Sequence, residues 1–249
     1  MKSGLCFFPG GRAHLGVSAA VLALLAGLSP PSAAQLLATD VAGVQLGATA
    51  AEVETALRAH NAKFQYIKVF WAGLDGKPTT AVAAIKAAVP TGPGGISAVD
   101  FKRPDGIAVY FGLSHGKAQA IYRQVADPRG IPQQETLRGV IQKYGADLGL
   151  YPGIYVRNVD GSGKATLSCG ASNFGWGGRP GAADPACSKA LRVQFDPKAP
   201  GVAAGLQLWL FDHQLVIADL KAQQSQQQAV AQEGARRSQE AIRGNKPAL

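Results

Sequence analysis

The first 34 residues constrain this chain most, because they have the pattern of a cleavable export signal. Lys2 and Arg12 make the start basic, an apolar run of twelve residues follows at 17–28, and small residues lead up to Ala34. A run of twelve is too short for a membrane-spanning helix, which needs about 20 apolar residues. We therefore expect cleavage after Ala34 and a mature chain, residues 35–249, that folds in the periplasm or outside the cell.

Removing the leader also removes Cys6 and leaves two cysteines, Cys169 and Cys187. Disulfides form in exported proteins, so we expect these two residues to be paired. Closing a loop of this length contributes about 3 kcal/mol by restricting the unfolded chain. The bridge is either a simple staple or the frame of a recognition loop that presents Trp176 and Arg179, side-chain types common at interface hot spots. The sequence leaves both alternatives open.

The chain is basic, with 25 Lys and Arg against 16 Asp and Glu and a pI of about 9.6. Such a charge balance is typical of proteins that bind nucleic acid. Export and the scattered positions of the basic residues argue against that partner. An envelope protein or an anionic envelope surface is the better partner for this charge, and the alternative is a basic surface that keeps the protein soluble and has no partner.

A capping box marks the start of the first predicted helix, because the side chains of Thr49 and Glu52 can each accept a hydrogen bond from the backbone amide of the other residue. A short strand is predicted before it at 41–46, and another after it at 64–71. Asn61 is expected to end the helix in a left-handed conformation. The buried stripe of this helix is predicted to consist of Val53, Ala56, Leu57 and His60.

The middle of the chain predicts a β-hairpin, in which strands at 96–101 and 107–111 flank the turn residues 103–106. Asp75-Gly76 marks another turn. Residues 79–89 fit a strand or a helix, and residues 117–125 leave the same choice open.

A second helix is predicted to start at Pro132 and to stop at Gly145. Strands at 191–195 and 206–211 alternate apolar and polar residues. This order of elements predicts an α+β fold, with an antiparallel or mixed sheet packed by two helices and one disulfide. The apolar stripe of the second helix is Leu137, Val140, Ile141 and Tyr144.

The composition changes near Lys221, where a polar, glutamine-rich stretch begins. We expect one domain at 35–220, followed at 221–249 by a solvent-exposed helix or a frayed tail. A coiled-coil partner helix is the functional alternative, but it needs apolar a and d positions through three or more heptads.

Two stretches resemble known exported proteins. The opening DVAGVQLGATAAEVETAL, residues 40–57, resembles the start of many small exported envelope proteins of Gram-negative bacteria, including the small lipoprotein of the outer-membrane β-barrel assembly machinery. Residues 105–145 are similar to uncharacterised exported proteins with a strand pair and a helix that begins with proline. The resemblance implies a compact periplasmic α+β module that binds a partner, without a catalytic residue. Ala48 replaces the usual Met of the lipoprotein, and no lipid-acceptor cysteine stands at the cleavage site, so membrane tethering is not expected.

One motif has possible chemistry: Gly112-Leu113-Ser114-His115-Gly116 matches the G-x-S-x-G pattern of a nucleophile elbow, which requires a strand before it and a helix after it. A serine hydrolase would use Ser114 as nucleophile, His213 as base and Asp184 or Asp196 as the orienting carboxylate. The alternative interpretation is a loop between two strands with Ser114 and His115 in solvent.

Metal and cofactor sites lack a pattern in this sequence. The mature chain has three histidines, His60, His115 and His213, and their spacing is not that of a zinc site. The glycines of 170–181 do not open an apolar helix that could bind phosphate. We expect no metal, no cofactor and no catalytic residue, and a protein that acts by binding.

Overall fold

The computed structural model describes residues 38–73, 77–90, 104–145, 149–151, 154–160, 165–166 and 183–244. By its contacts the chain divides into two units, and every described residue belongs to the second unit, Leu36–Leu249.

The described residues form helices and antiparallel strands, which confirms the α+β class. The elements in chain order are β1 (Asp40–Val41), β2 (Val44–Gln45), α1 (Ala50–His60), β3 (Gln65–Ala72), β4 (Pro78–Ala88), β5 (Asp105–Phe111), β6 (Ala118–Pro132), α2 (Gln133–Tyr144), β7 (Gly149–Tyr151), β8 (Ile154–Asp160), β9 (Ala165–Thr166), β10 (Cys187–Ala199), β11 (Val202–Asp212) and α3 (His213–Gly244).

The main sheet has the strand order β3-β4-β5-β6-β11-β10-β8-β7, with β9 paired to β8. This order divides into two matching halves. Helix α1 is followed by β3, β4, β5 and β6, and helix α2 is followed by β7, β8, β10 and β11. The last strands of the two halves pair antiparallel at the centre, where Tyr122 lies opposite Trp209.

The two faces of the sheet are covered differently. Side chains of α1 and α2, including Leu57 and Val140, join the larger apolar core on one face. On the other face, Val216 of α3 packs with a smaller cluster that includes Tyr122 and Trp209. Helix α3 therefore lies on the opposite side of the sheet from α1 and α2.

The start of the described chain differs from the prediction in two places. The single strand predicted at 41–46 is a hairpin, because Ala42 and Gly43 both have positive φ and turn the chain between β1 and β2. The capping box of Thr49 and Glu52 is confirmed. The left-handed end predicted at Asn61 is wrong: this residue is extended, and its side-chain oxygen accepts the Lys63 amide in a local turn.

Helix α2 follows β6 without a loop. Pro132 is both the last residue of β6 and the N-cap of α2, and its φ of −63° suits both roles. Gly145 has a φ of 95° and stops the helix, as predicted. The predicted stripe is confirmed, since Val140 and Tyr144 are buried and Leu137 and Ile141 are half-buried.

Both ambiguous stretches are strands, since 79–88 falls in β4 and 118–125 in β6. The predicted hairpin of 96–101 with 107–111 is wrong, because β4 and β6 occupy the two edges of β5. Residues 96–101 and the predicted turn at Asp75-Gly76 lie outside the described residues. The predicted strand pair of 191–195 and 206–211 is confirmed in β10 and β11.

The polar C-terminal stretch is helical as far as Gly244, the last described residue, but its helix starts earlier than predicted. Helix α3 begins at His213 and runs to Gly244 without a break. Cys187 opens β10 and is fully buried, whereas Cys169 lies outside the described residues. None of the helices among the described residues is long and apolar enough to cross a membrane.

Candidate functional site

The predicted nucleophile motif forms a turn between two strands. The amide of Gly112 donates to the Lys117 carbonyl over 3.1 Å, and the amide of Gly116 donates to the Gly112 carbonyl over 2.9 Å. Strand β5 enters the turn and strand β6 leaves it. The strand-turn-helix geometry of a nucleophile elbow is therefore not formed.

Hydrogen bonds join this 112–116 turn to the first two turns of α3, and we call this contact between Ser114 and His115 on one side and Leu215 and Asp219 on the other the clasp. The backbone amide of Ser114 donates to Oδ1 of Asp219 over 2.7 Å, and Asp219 is only 2% exposed. Nδ1 of His115 accepts the Lys117 amide, so the proton lies on Nε2, which donates to the Leu215 carbonyl over 3.2 Å. The hydroxyl of Ser114 takes no part in these contacts. The motif thus fastens the helix to the sheet.

The clasp needs the first glycine of the motif. A Cβ atom on Gly112 would lie 2.3 Å from Cε1 of His115 and 3.0 Å from Cγ of Asp219. Both distances are too short for a carbon contact. Gly112 is therefore required by close approach of the His115 ring to the backbone.

His213 is fully buried at the start of α3, where its ring lies edge-on against Phe211. Its Nδ1 accepts the backbone amide of Asp184 over 2.9 Å, so the proton is on Nε2, which makes no hydrogen bond with any described residue. Burial lowers the pKa of His213, and the charges of Asp184 and Asp212 oppose that shift. A triad histidine needs the reverse arrangement, with Nδ1 donating to a carboxylate and Nε2 accepting from serine.

The two predicted orienting carboxylates are placed differently. Asp184 lies beside His213, but its Oδ1 accepts the Ala186 amide. Asp196 is at the other end of β10. Lys189 pairs with Asp212 beside His213, whereas Asp196, seven residues further along the strand, pairs with Gly205. At about 3.3 Å per residue this separation is roughly 23 Å, too far for contact with His213. The geometry gives the serine hydrolase alternative no support.

The N-terminus of α3 has a side-chain cap that the sequence analysis missed. Oδ1 of Asp212 accepts the amides of Gln214 and Leu215, each over 3.0 Å. Asp is among the preferred N-cap residues. This aspartate, placed between an apolar strand and the run from His213, was a signal that could have located the true start of the helix.

A polar and aromatic cluster lies on the face of the main sheet against which α3 packs. The ring of Tyr122 lies 5.1 Å from that of Trp209, and the guanidinium of Arg192 lies 5.0 Å from the Trp209 ring. The hydroxyl of Tyr122 donates to Gln124 over 2.9 Å, and Arg192 donates to Gln194 over 3.0 Å. Burial raises the pKa of Tyr122 and lowers that of Arg192. Tyr122 and Arg192 thus each bind a glutamine side chain of their own strand, whereas Nε of Arg192 is buried without a hydrogen-bond partner among the described residues.

A third polar group lies on the face of α1 and α2. The carboxylate of Asp105 accepts hydrogen bonds from Nε of Arg123 and from Nε2 of His60, each over 3.1 Å. The prediction that His60 belongs to the buried stripe of α1 is wrong: this residue is exposed at the end of the helix and contacts Asp105. Across the part of the chain that the structure describes, no three His, Cys, Asp or Glu side chains are grouped closely enough to hold a metal ion.

Beyond the clasp, α3 leaves the sheet. His213, Val216 and Asp219 are buried, but at 224–243 every side chain except that of Glu233 is exposed. These 20 residues span about 30 Å at 1.5 Å per residue. Helix α3 is thus a projecting rod held by its first two turns.

Comparisons with known proteins add no family to this description. No protein-family model, no curated protein and no solved structure matches the chain.

Proposed function

We propose that this protein is an exported, non-enzymatic binding module, which uses the projecting part of α3 to dock a helix of an envelope protein. The observation that carries the proposal is the exposure of α3 at 224–243. Isolated helices are marginally stable in water, and most helical stability in proteins comes from packing. A helix of this length with no packed face at 224–243 among the described residues is best explained by a partner that packs on it.

The exposed helix has one face without charge. Its members recur every three or four residues and so lie on one side. They are Leu220, Gln224, Gln227, Ala231, Gly234, Ser238 and Ile242. Small side chains on this charge-free face would allow another helix to approach closely, and the glutamines can form hydrogen bonds across the contact.

The charged side chains lie on the rest of the helix surface, and four of them bind one another. Arg236 contacts Glu233 and Glu240, each over 2.9 Å, and Arg237 contacts Glu233 over 2.9 Å. Such pairs stabilise a helix by about 0.2–0.5 kcal/mol each. These ion pairs stabilise the exposed part of α3 in solvent and leave its charge-free face available to the partner.

Export is part of the proposal, with cleavage after Ala34 and a disulfide between Cys169 and Cys187. The export signal supports the disulfide, because disulfides form and persist in exported proteins and the mature chain has two cysteines. The Cys187 carbonyl also accepts Nε2 of Gln214 over 2.6 Å, so a bridge at this residue would brace the base of α3. Amino-terminal sequencing of the protein from the periplasm is expected to start at Gln35.

The docking face is tested by two matched positions that are both exposed alanines, Ala231 on the charge-free face and Ala229 on the opposite side. A photo-crosslinking amino acid at 231 is expected to give an adduct of one defined mass in cells, and the same group at 229 is not. Ala231→Glu should abolish partner co-purification, whereas Ala229→Glu should leave it unchanged. Equal labelling at both positions, or no adduct at either, would overturn the proposal.

A further inference from the structure

Strand β3 lies at one end of the main sheet. It pairs with β4 on one side, and no described strand pairs with its other edge. An open edge carries unpaired amides and carbonyls, which can pair with another strand.

Among the described residues, β3 has few of the usual protections of an open edge. Its sequence, QYIKVFWA, contains no proline. The register shifts against β4 fall where β4 has additional residues, such as Ala83 between Val82 and Ala84, so β3 itself is regular. Its one charge, Lys68, is 2.7 Å from Glu54 of α1 and is thereby partly neutralised.

Both sides of the edge carry apolar surface. Val69 is 37% exposed and Phe70 is 43% exposed, and neighbouring residues of a strand point to opposite faces. Of the five large apolar residues exposed among the described residues, these two lie on β3 and the other three lie on α3. The edge thus offers both hydrogen bonds and hydrophobic contact.

We propose that β3 pairs antiparallel with β3 of a second copy of this chain, with Val69 opposite its own symmetry mate. A two-fold contact is self-complementary, so one open edge is sufficient for it. This proposal does not rest on the function assigned to α3.

The register of the proposed β3–β3 pair follows from the number of residues that it pairs and from the charges that it places opposite each other. In an antiparallel pair, two side chains directly opposite each other lie on the same face of the sheet. A two-fold contact must therefore place one residue opposite its own symmetry mate, and we describe the axis between these two copies as passing through that residue. Only axes through Lys68 or Val69 pair seven of the eight residues of β3, at 65–71 or 66–72 respectively. An axis through Lys68 places two lysines opposite each other, which is unfavourable. The axis through Val69 instead places Lys68 opposite Phe70 and Ile67 opposite Trp71, contacts of the cation–aromatic and aromatic–aliphatic kinds.

The test is the mass of the full mature chain in solution, measured by light scattering after size exclusion at several concentrations. Wild type is expected at twice the chain mass, and Val69→Lys at the single mass with an unchanged circular dichroism spectrum. Val230→Lys is the matched control, since Val230 is 49% exposed on α3, and it should remain a dimer. A monomeric wild type, as expected if an extended segment of another protein occupies β3, or a dimer that survives Val69→Lys, would refute the pairing.

Cysteine substitution tests the register separately. Opposite residues have Cβ atoms about 5 Å apart, within reach of a disulfide. Val69→Cys is expected to give a covalent dimer on mild oxidation, and Lys68→Cys is not. The reverse result would place the axis at Lys68 and overturn the proposed register.

Discussion

The backbone amide of Ser114 donates a hydrogen bond to Oδ1 of Asp219, 105 residues later in the chain and 2% exposed. This bond joins the turn between β5 and β6 to the second turn of α3. The serine of the predicted nucleophile motif therefore contributes its amide, and its hydroxyl is free of the structural contacts.

Removing the acceptor should destabilise the fold, whereas removing the hydroxyl should not. Asp219→Ala leaves the backbone amide of Ser114 and the side-chain amide of Gln223 without their acceptor. We expect a loss of about 1–3 kcal/mol in the free energy of unfolding. Ser114→Ala keeps the amide and should change this free energy by less than about 0.5 kcal/mol. Urea unfolding measures both. A large loss for Ser114→Ala would contradict the clasp described here.

Gly112→Ala should also weaken the clasp, because the new methyl group would overlap the His115 ring. We expect a cost of about 1–3 kcal/mol, as is typical of overpacking. Adding His115→Ala removes the overlapping ring, so the double variant should lose less than the sum of the single changes. Gly139→Ala is the matched control in α2: nothing lies within 4 Å of its added Cβ, and it should stabilise the helix by about 0.5–1 kcal/mol.

His213 should make the protein less stable in mild acid. Burial lowers its pKa in the folded state below the ordinary value of 6.5, so the unfolded chain binds a proton first as the pH falls. This contribution to stability is complete well above pH 6.5 and is lost progressively below it. In His213→Asn the side-chain oxygen can still accept the Asp184 amide, but nothing titrates there. Unfolding free energies at pH 7.5 and 5.5 should therefore differ less in this variant than in wild type, and an equal difference would contradict a buried neutral His213.

The proposed disulfide should be visible by mass and by stability. Without reductant, peptide mass spectrometry is expected to detect Cys169 linked to Cys187. Reduction should lower the free energy of unfolding by about 3 kcal/mol, because the open chain gains conformational entropy. Two alkylated thiols in the unreduced protein from the periplasm would refute the bridge.

Local patterns predicted the elements whose signals lie close together in the chain. Thr49 and Glu52 are three residues apart, and Gly145 adjoins the helix that it ends, so these signals could be interpreted without the fold. The start of α3 was missed because His213 and Asp219 are polar residues that are nevertheless buried. Their burial depends on the amides of Asp184 and Ser114, which the sequence does not place beside them.

The sequence by itself determined the α+β class, the capping box of Thr49 and Glu52, the helix stop at Gly145 and the alternation of the central strands, because each depends on backbone preferences and periodicity over a few residues. Tertiary structure decided whether 117–125 is a strand, which strands are neighbours, and that the G-x-S-x-G turn clasps a helix. Those outcomes depend on partners far apart in the chain. Hydrogen bonds such as Ser114 to Asp219 exist only after the sheet has brought the two residues together.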